Sequence, residues 1–344
     1  MDPVRIAVVG IGMAAKPHIE ALSLLSEQVH VCGIFNRSQE KAAKVSAEHG
    51  WPVFESAEQI ANNEDIEGVI LITPPDQRTD LVRLFARAGK HILTEKPIER
   101  TIGGARELVK ICEDAGVKYG VVFQHRFRAG AERLKALVDN AELGQIALVR
   151  AVIPWWRDQS YYDVPGRGTF ARDGGGVLIS QAIHVLDLML SLTGEAESVQ
   201  AFCATTALHD LEAEDFATGG IRFRNGAIGS VMATTATYPG TTESLVLDGT
   251  LGTASLVGSR LTVTWRDGRT EDVGELTGSG GGADPMAFPC DWHKDLIADF
   301  ARAIREDRSP RICGRDGLKV HALIDALTKS SREGKRIPVL PAEE

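Results

Sequence analysis

From residue 4 to residue 123 the chain alternates short, β-branched apolar runs with amphipathic helical stretches, and this alternation constrains the fold most. VRIAVVG (4–10) reads as a strand buried on both faces. AAKPHIEALSLL follows as a helix that tolerates Pro17 in its first turn. VHVCGIF (29–35) is the next strand, and SQEKAAKVSAEHG the next helix, with Ser38 as N-cap and Gly50 as its stop. SAEQ (56–59) fits a capping box on a short helix. GVILIT (68–73), DQRTDLVRLFARAG, HILTE (91–95), GGARELVKICEDAG and VKYGVVF complete the series. Regular βαβ units predict an α/β fold with a doubly wound parallel sheet and right-handed crossovers.

GIGMAA, Gly10 to Ala15, lies between the first strand and the first helix. It fits G-x-G-x-x-A in the position where the mechanism needs it. Gly10 permits the tight turn, Gly12 lets backbone approach a pyrophosphate, and Ala15 allows close helix–strand packing. The helix N-terminus then faces the phosphates. The second strand ends in FNRS, with neutral Asn36 and then Arg37 where an NAD-preferring fold carries an acid. Arg37 suits a 2′-phosphate, so NADP(H) is expected in preference to NAD(H). Ligands in such sheets bind outside the carboxyl ends of the strands. TPPDQR (73–78) and EKP (95–97) follow two of those ends, which aims Lys96 at the crevice.

After about residue 124 the alternation stops, so the domains are expected at 1–124 and 125–344. AGAERLKALVDNAELG is a helix, and QIALVRAVIPWW a long strand ending in Trp155 and Trp156. GGGVLISQAIHVLDLMLSLTG (174–194) is a glycine run opening a helix. In a regular helix Ser180 and His184, at i and i+4, share one face. His184 taken alone fits two readings, a satisfied core histidine or a site residue. Strands with turn chemistry follow, including an Asn225–Gly226 hairpin. TGSGGGADP (277–285) reads as a mobile loop, and two helices close the chain. The second domain is therefore expected to be α+β, with a large, mostly antiparallel open sheet.

The net charge of −9 and pI near 5.6 oppose nucleic-acid binding. No apolar run approaches the ~20 residues of a membrane span. The start, MDPVRIAVVG, lacks the pattern of a signal peptide, and the expected location is the cytoplasm. Cys32, Cys112, Cys203, Cys290 and Cys313 are scattered without a CxxC pair, which suits reduced thiols. No metal is expected.

GIGMAA, EKP, QHRF (124–127), GGGVLISQAIHVLD and the final GLKVHALIDALTKSSREGKRIPV occur in order along nearly the whole chain. Together they resemble the glucose–fructose oxidoreductase / inositol dehydrogenase (Gfo/Idh/MocA) family. The resemblance implies a Rossmann domain, a second domain whose open sheet packs in dimers or tetramers, and NAD(P)-dependent oxidation of a sugar or cyclitol CH–OH, or its reverse. Cofactor contacts are expected from Gly10, Gly12, Met13 and Ala14, from Asn36 and Arg37, from Thr73, Pro74 and Gln77, and from Glu95, Lys96 and Gln124. The resemblance makes Lys96 the cation at the reacting oxygen and His184 the general base. Where the family commonly has aspartate this chain has Ser180, which leaves the acid partner of His184 open. Further substrate contacts are expected from Arg126, Trp156, Arg157, Tyr162, Ser180 and His293, beside Lys96 and His184. For the aromatic and arginine cluster, core packing is the competing reading. The same fold also hosts redox-neutral glycosidases that retain NAD and non-catalytic sensing proteins.

Overall fold

A computed structural model of the chain describes residues 2–276 and 289–341, so the expected loop at 277–285 lies outside the described residues. Two compact units share the chain: Met1–Val122 with Cys290–Gly317, and Phe123–Pro289 with Leu318–Glu344.

In the first unit, β1 (Val4–Val9), β2 (Val29–Phe35), β3 (Gly68–Leu71), β4 (His91–Thr94) and β5 (Tyr119–Val121) form one sheet in the order β2-β1-β3-β4-β5. All four pairings are parallel. β3 is buried throughout and β1 at every residue but Arg5, because helices cover both faces of a doubly wound sheet. The helices are α1 (Ala15–Leu24), α2 (Gln39–His49), α3 (Ala57–Ala61), α4 (Arg78–Arg87) and α5 (Ile102–Asp114). Their ends obey local chemistry. Ser38 and Ser56 accept from the amides of Lys41 and Gln59, and Gly50 closes α2 at φ 70°. The box at Ser56 is half made, since the Gln59 side chain accepts the Glu55 amide at 2.9 Å instead of the cap's own.

A single boundary after residue 124 misses the return of residues 290–317 to this unit. The helix 291–305 buries Trp292, Leu296, Ile297 and Phe300 and packs on α1 and β1. Arg305 donates to the carbonyls of Asp2 and Pro3 and forms an ion pair with Glu67. An amphipathic helix declares that it needs a partner, but not which one.

The second unit begins with α6 (Ala129–Asp139), β6 (Ile146–Pro154) and α7 (Gln159–Tyr162), then a π-helical turn (Leu178–Ala182) that runs into α8 (Ile183–Thr193). Seven strands follow: β7 (Ala196–Ala204), β8 (Phe216–Phe223), β9 (Ile228–Thr234), β10 (Ser244–Gly249), β11 (Gly252–Val257), β12 (Arg260–Trp265) and β13 (Thr270–Val273). The last elements are α9 (Asp291–Arg305, in the first unit), α10 (Gly314–Glu333) and β14 (Ile337–Pro338). The sheet has nine strands in the order β13-β12-β11-β10-β6-β9-β8-β7-β14. Among the described residues only β6 and β9 pair in parallel. The Asn225–Gly226 turn joins β8 to β9, with Gly226 at φ 91°. Side chains alternate across this sheet with period 2. Val149, Ala151, Ile153, Val231 and Ala233 are buried, and α6 and α8 pack on the sheet. The opposite face carries Leu148, Ile228 and Phe202, exposed by 39%, 54% and 61%.

Candidate active site

The strand order reverses between β1 and β3, and a crevice opens at their carboxyl ends. It is a cleft of about 570 Å³, lined among others by Gly10, Gly12, Asn36, Arg37, Thr73 and Gln77, with Pro74 beside them. That volume lies within the ~300–1,000 Å³ usual for ligand pockets. Gly10 has φ 97°, and a Cβ there would stand 3.0 Å from both the Ile72 carbonyl carbon and Thr73 Cγ2. Over Gly12 the nearest atom to an added Cβ is the Ile72 oxygen at 3.8 Å, so this side of the loop stays low. Ala14 provides no side-chain cap to α1, which leaves first-turn amides for an anion, and Met13 is 48% exposed at the loop.

Asn36, expected as a cofactor contact, lines the cleft and also braces the backbone beside it. Its Oδ1 accepts the Ile11 amide at 2.9 Å, and its Nδ2 donates to the Ser38 carbonyl at 3.0 Å. The oxygen end of the amide thus holds the glycine loop, and the nitrogen end holds the turn that starts α2. Arg37 is exposed at the cleft, and Lys41, in the first turn of α2, is a second exposed cation lining it. Lys41 is not among the residues expected from the sequence.

The turn after β4 holds Lys96, and the Lys96–Pro97 bond is cis. Glu95, expected to face the cofactor, is instead buried. Its carboxylate meets His18 Nε2 at 2.7 Å and accepts the Lys96 amide at 3.1 Å. Burial works to raise its pKa, but the hydrogen bond with His18 and the proximity of His18 and Lys96 prevail and bring it down to about 2. His293, expected among the substrate contacts, lies in the first unit, 2% exposed and edge-on to His18. Burial, reinforced by His18, pushes its pKa down to about 3. His18, Glu95 and His293 bring one metal-ligand type of atom each within 4.8 Å of the others. Two ligands on a tetrahedral zinc stand roughly 3.3 Å apart. The 2.7 Å between His18 and Glu95 is the spacing of a hydrogen bond.

Arg78 is a second residue not expected from the sequence. It opens α4 and is 2% exposed. Its guanidinium donates to the Thr73 carbonyl through Nε at 2.9 Å and Nη2 at 2.6 Å. Nη1 donates to the carbonyls of Glu95 and Pro97. Burial lowers its pKa to about 10. A cation in the first turn of a helix opposes the macrodipole. That misplaced charge was the one local signal available.

In the second unit, Gly174 and Gly175 adopt φ 86° and 154°, and an added Cβ on Gly176 would sit 1.8 Å from the Glu214 carbonyl oxygen. The Glu214 carboxylate accepts the amides of Gly176 and Leu178, each at 3.1 Å. The single helix expected over 174–194 is thus a glycine turn, a π turn containing Ser180 and Gln181, and then α8 from Ile183. Such π turns are frequent at functional positions. His184 is 7% exposed and stacks on His125, with ring centroids 4.9 Å apart at 26°. His125 Nε2 lies 2.6 Å from Arg128 Nη2. A guanidinium only donates, so Nε2 accepts and the His125 proton sits on Nδ1. Arg128 also donates to Glu243 at 2.7 Å, and Glu243 accepts from Trp155 Nε1 at 3.2 Å.

Arg126, expected among the substrate contacts, is one half of an ion pair. Its Nε and Nη2 reach the two oxygens of Asp187 at 2.7 and 2.6 Å. Arg157 is 3% exposed, with its guanidinium over the rings of Trp155 and Tyr161, 5.4 and 5.6 Å from the centroids. It donates to the Trp156 carbonyl at 2.7 Å. Tyr162 is buried, with its hydroxyl 2.5 Å from Thr235 Oγ1, and burial raises its pKa. Arg157 and Tyr162 therefore pack as core. Trp156 is half-buried and bridges to Ala236. Gln124 is 6% exposed, and its Oε1 is buried without a hydrogen-bond partner among the described residues.

Two family models match the chain: the oxidoreductase family, NAD-binding Rossmann fold, over residues 4–123, and the GFO/IDH/MocA C-terminal domain over 131–255. The inositol 2-dehydrogenase of Rhizobium meliloti is 26% identical over 347 residues, covering 98% of this chain and 99% of that protein. The D-apiose dehydrogenase of Paraburkholderia graminis is 25% identical, covering 98% and 90%. The WlbA dehydrogenase of Bordetella pertussis, solved in complex with NADH and UDP-GlcNAcA, is 31% identical with a TM-score of 0.84, covering 98% and 99%. The chain belongs to the Gfo/Idh/MocA family of oxidoreductases with an NAD-binding Rossmann domain.

Proposed function

We propose that this oxidoreductase is a dehydrogenase or reductase that transfers hydride between a nicotinamide cofactor and a CH–OH carbon of a sugar, sugar derivative or cyclitol. The observation that carries the reading is the pairing, in one unit, of a dinucleotide-sized cleft at the β1/β3 reversal with a lysine at the carboxyl end of β4. In this reading the cofactor supplies or accepts hydride. Lys96 stabilises the negative charge that develops on the substrate oxygen. His184 accepts the hydroxyl proton in the oxidative direction. The inositol and apiose dehydrogenases among its relatives support a polyhydroxylated substrate. The exposed cations Arg37 and Lys41, with no acid at the end of β2, support NADP(H) over NAD(H). The exposed Leu148, Ile228 and Phe202 on the outer face of the nine-stranded sheet support assembly of copies through that face.

The test is an assay of sugars, sugar acids and inositols with each cofactor, followed by the near-ultraviolet absorbance of reduced nicotinamide. Turnover with at least one of them is expected. Cofactor that co-purifies and never changes redox state over the whole panel overturns the reading in favour of a redox-neutral enzyme.

A further inference from the structure

Arg78 stands at the start of α4, where two effects oppose its charge. The helix macrodipole disfavours a cation in the first turn, and burial removes the water that would solvate it. All four of its described hydrogen bonds run to backbone carbonyls, namely those of Thr73, Glu95 and Pro97. Thr73 follows β3 and lines the dinucleotide cleft. Glu95 and Pro97 flank Lys96. One planar group thus ties the cofactor-side turn to the lysine turn, and it holds the lysine turn on both sides of Lys96. The amide between those two carbonyls is held separately, by the Glu95 carboxylate at 3.1 Å. The backbone around Lys96 is therefore fixed at three successive residues by buried side chains.

A neutral side chain cannot replace this arrangement, because three carbonyls converge on one point and need several N–H donors. Lysine keeps the charge but presents a point ammonium in place of a fork. We propose that Arg78 is a positioning residue, which sets the spacing between the cofactor-binding turn at Thr73 and the side chain of Lys96. The proposal rests on the function argued above. Its consequence is that cofactor affinity and turnover are coupled through a residue that touches neither substrate nor nicotinamide.

The experiment uses the full-length protein with Arg78→Ala and Arg78→Lys, reading NADPH and NADH affinity by fluorescence, and kcat and KM on the best substrate. Each variant is measured with and without added guanidinium at a sub-denaturing concentration. Arg78→Lys is expected to bind cofactor severalfold more weakly and to lose about tenfold or more in kcat, at little change in substrate KM. Guanidinium is expected to restore part of both losses in Arg78→Ala, and to do nothing for Arg78→Lys, whose ammonium fills the space. Loss of fold alone does not produce a saturable rescue by the missing group. If Arg78→Ala does not fold, Arg78→Lys decides: affinity and kcat equal to wild type overturn the proposal. If wild type turns over no sugar, the proposed function has failed. The affinity measurements still decide on Arg78, and unchanged cofactor affinity in both variants overturns its role.

Discussion

His18 and His293 meet edge to face, with ring centroids 4.8 Å apart at 77°, and both rings are buried beside the Glu95 carboxylate. The pKa of His293 lies near 3 against an ordinary 6.5, so the folded chain keeps this ring neutral where the unfolded chain protonates it. Between those values the unfolded state binds the extra proton, and stability falls as pH falls. Glu95 adds a second limb with the same sign. Its contribution is complete above its ordinary value of 4.5 and is lost as pH falls toward 2. Each proton contributes a slope of up to about 1.4 kcal/mol per pH unit. His293→Gln should remove the upper limb and leave the lower. Urea unfolding from neutral pH downward checks this. Parallel wild-type and variant curves would show that His293 does not titrate with folding.

Arg126 and Asp187 form a two-pronged pair with side chains only 16% and 0% exposed. Removing one partner leaves the other buried without its counter-charge, which costs about 3–5 kcal/mol. Asp187→Asn and Arg126→Met should each destabilise the second unit by that order. The double variant Arg126→Met/Asp187→Leu should recover much of the loss, since a well-packed apolar pair can replace a buried ion pair. The measurement is a double-mutant cycle in urea. Single variants within about 0.5 kcal/mol of wild type contradict the assignment.

Features legible in the sequence were those whose cause is local. The βαβ alternation, the glycine turn before α1, the caps at Ser38 and Gly50, and the Asn225–Gly226 hairpin each depend on a few neighbouring residues. What was not legible depends on residues far apart in sequence. The carboxylate of Glu95 was aimed at the cofactor because its neighbour Lys96 was, but His18 captures it from 77 positions away. Asp187 captures Arg126 from 61 positions away. The destination of residues 290–317 was hidden for the same reason. The π turn that interrupts the expected helix over 174–194 sits where the amides of Gly176 and Leu178 are accepted by Glu214, 38 and 36 positions on.

Arg37 and Lys41 are exposed on the wall of the dinucleotide cleft. An ion pair with a 2′-phosphate is worth about 1.5–3 kcal/mol, which is roughly a tenfold preference or more. Arg37→Ala should lower the NADPH-to-NADH affinity ratio, and Lys41→Ala should lower it further. Because both cations are exposed, the wild-type ratio should shrink as salt is raised. Equal wild-type dissociation constants for the two cofactors at low salt would remove the basis for the NADP(H) preference.

Lys96 stands in a turn whose backbone is held by Glu95 on its amide and by Arg78 on the carbonyls either side. A methionine at this position keeps the length of the chain and leaves those backbone contacts intact, so fold and cofactor affinity should change little. What it removes is the cation available to a developing alkoxide. One such donor contributes on the order of 10²–10³ in kcat, or about 2.7–4 kcal/mol of transition-state stabilisation. Lys96→Met should therefore lose turnover by that factor while binding NADPH within about twofold of wild type. Lys96→Arg separates charge from shape: it restores a cation but in a wider, planar group, and should recover only part of the rate. The readout is kcat on the best substrate together with cofactor affinity by fluorescence. A Lys96→Met enzyme with near-normal kcat would show that the lysine does not act on the reacting oxygen. A large loss of cofactor affinity with unchanged kcat would make Lys96 a binding residue instead.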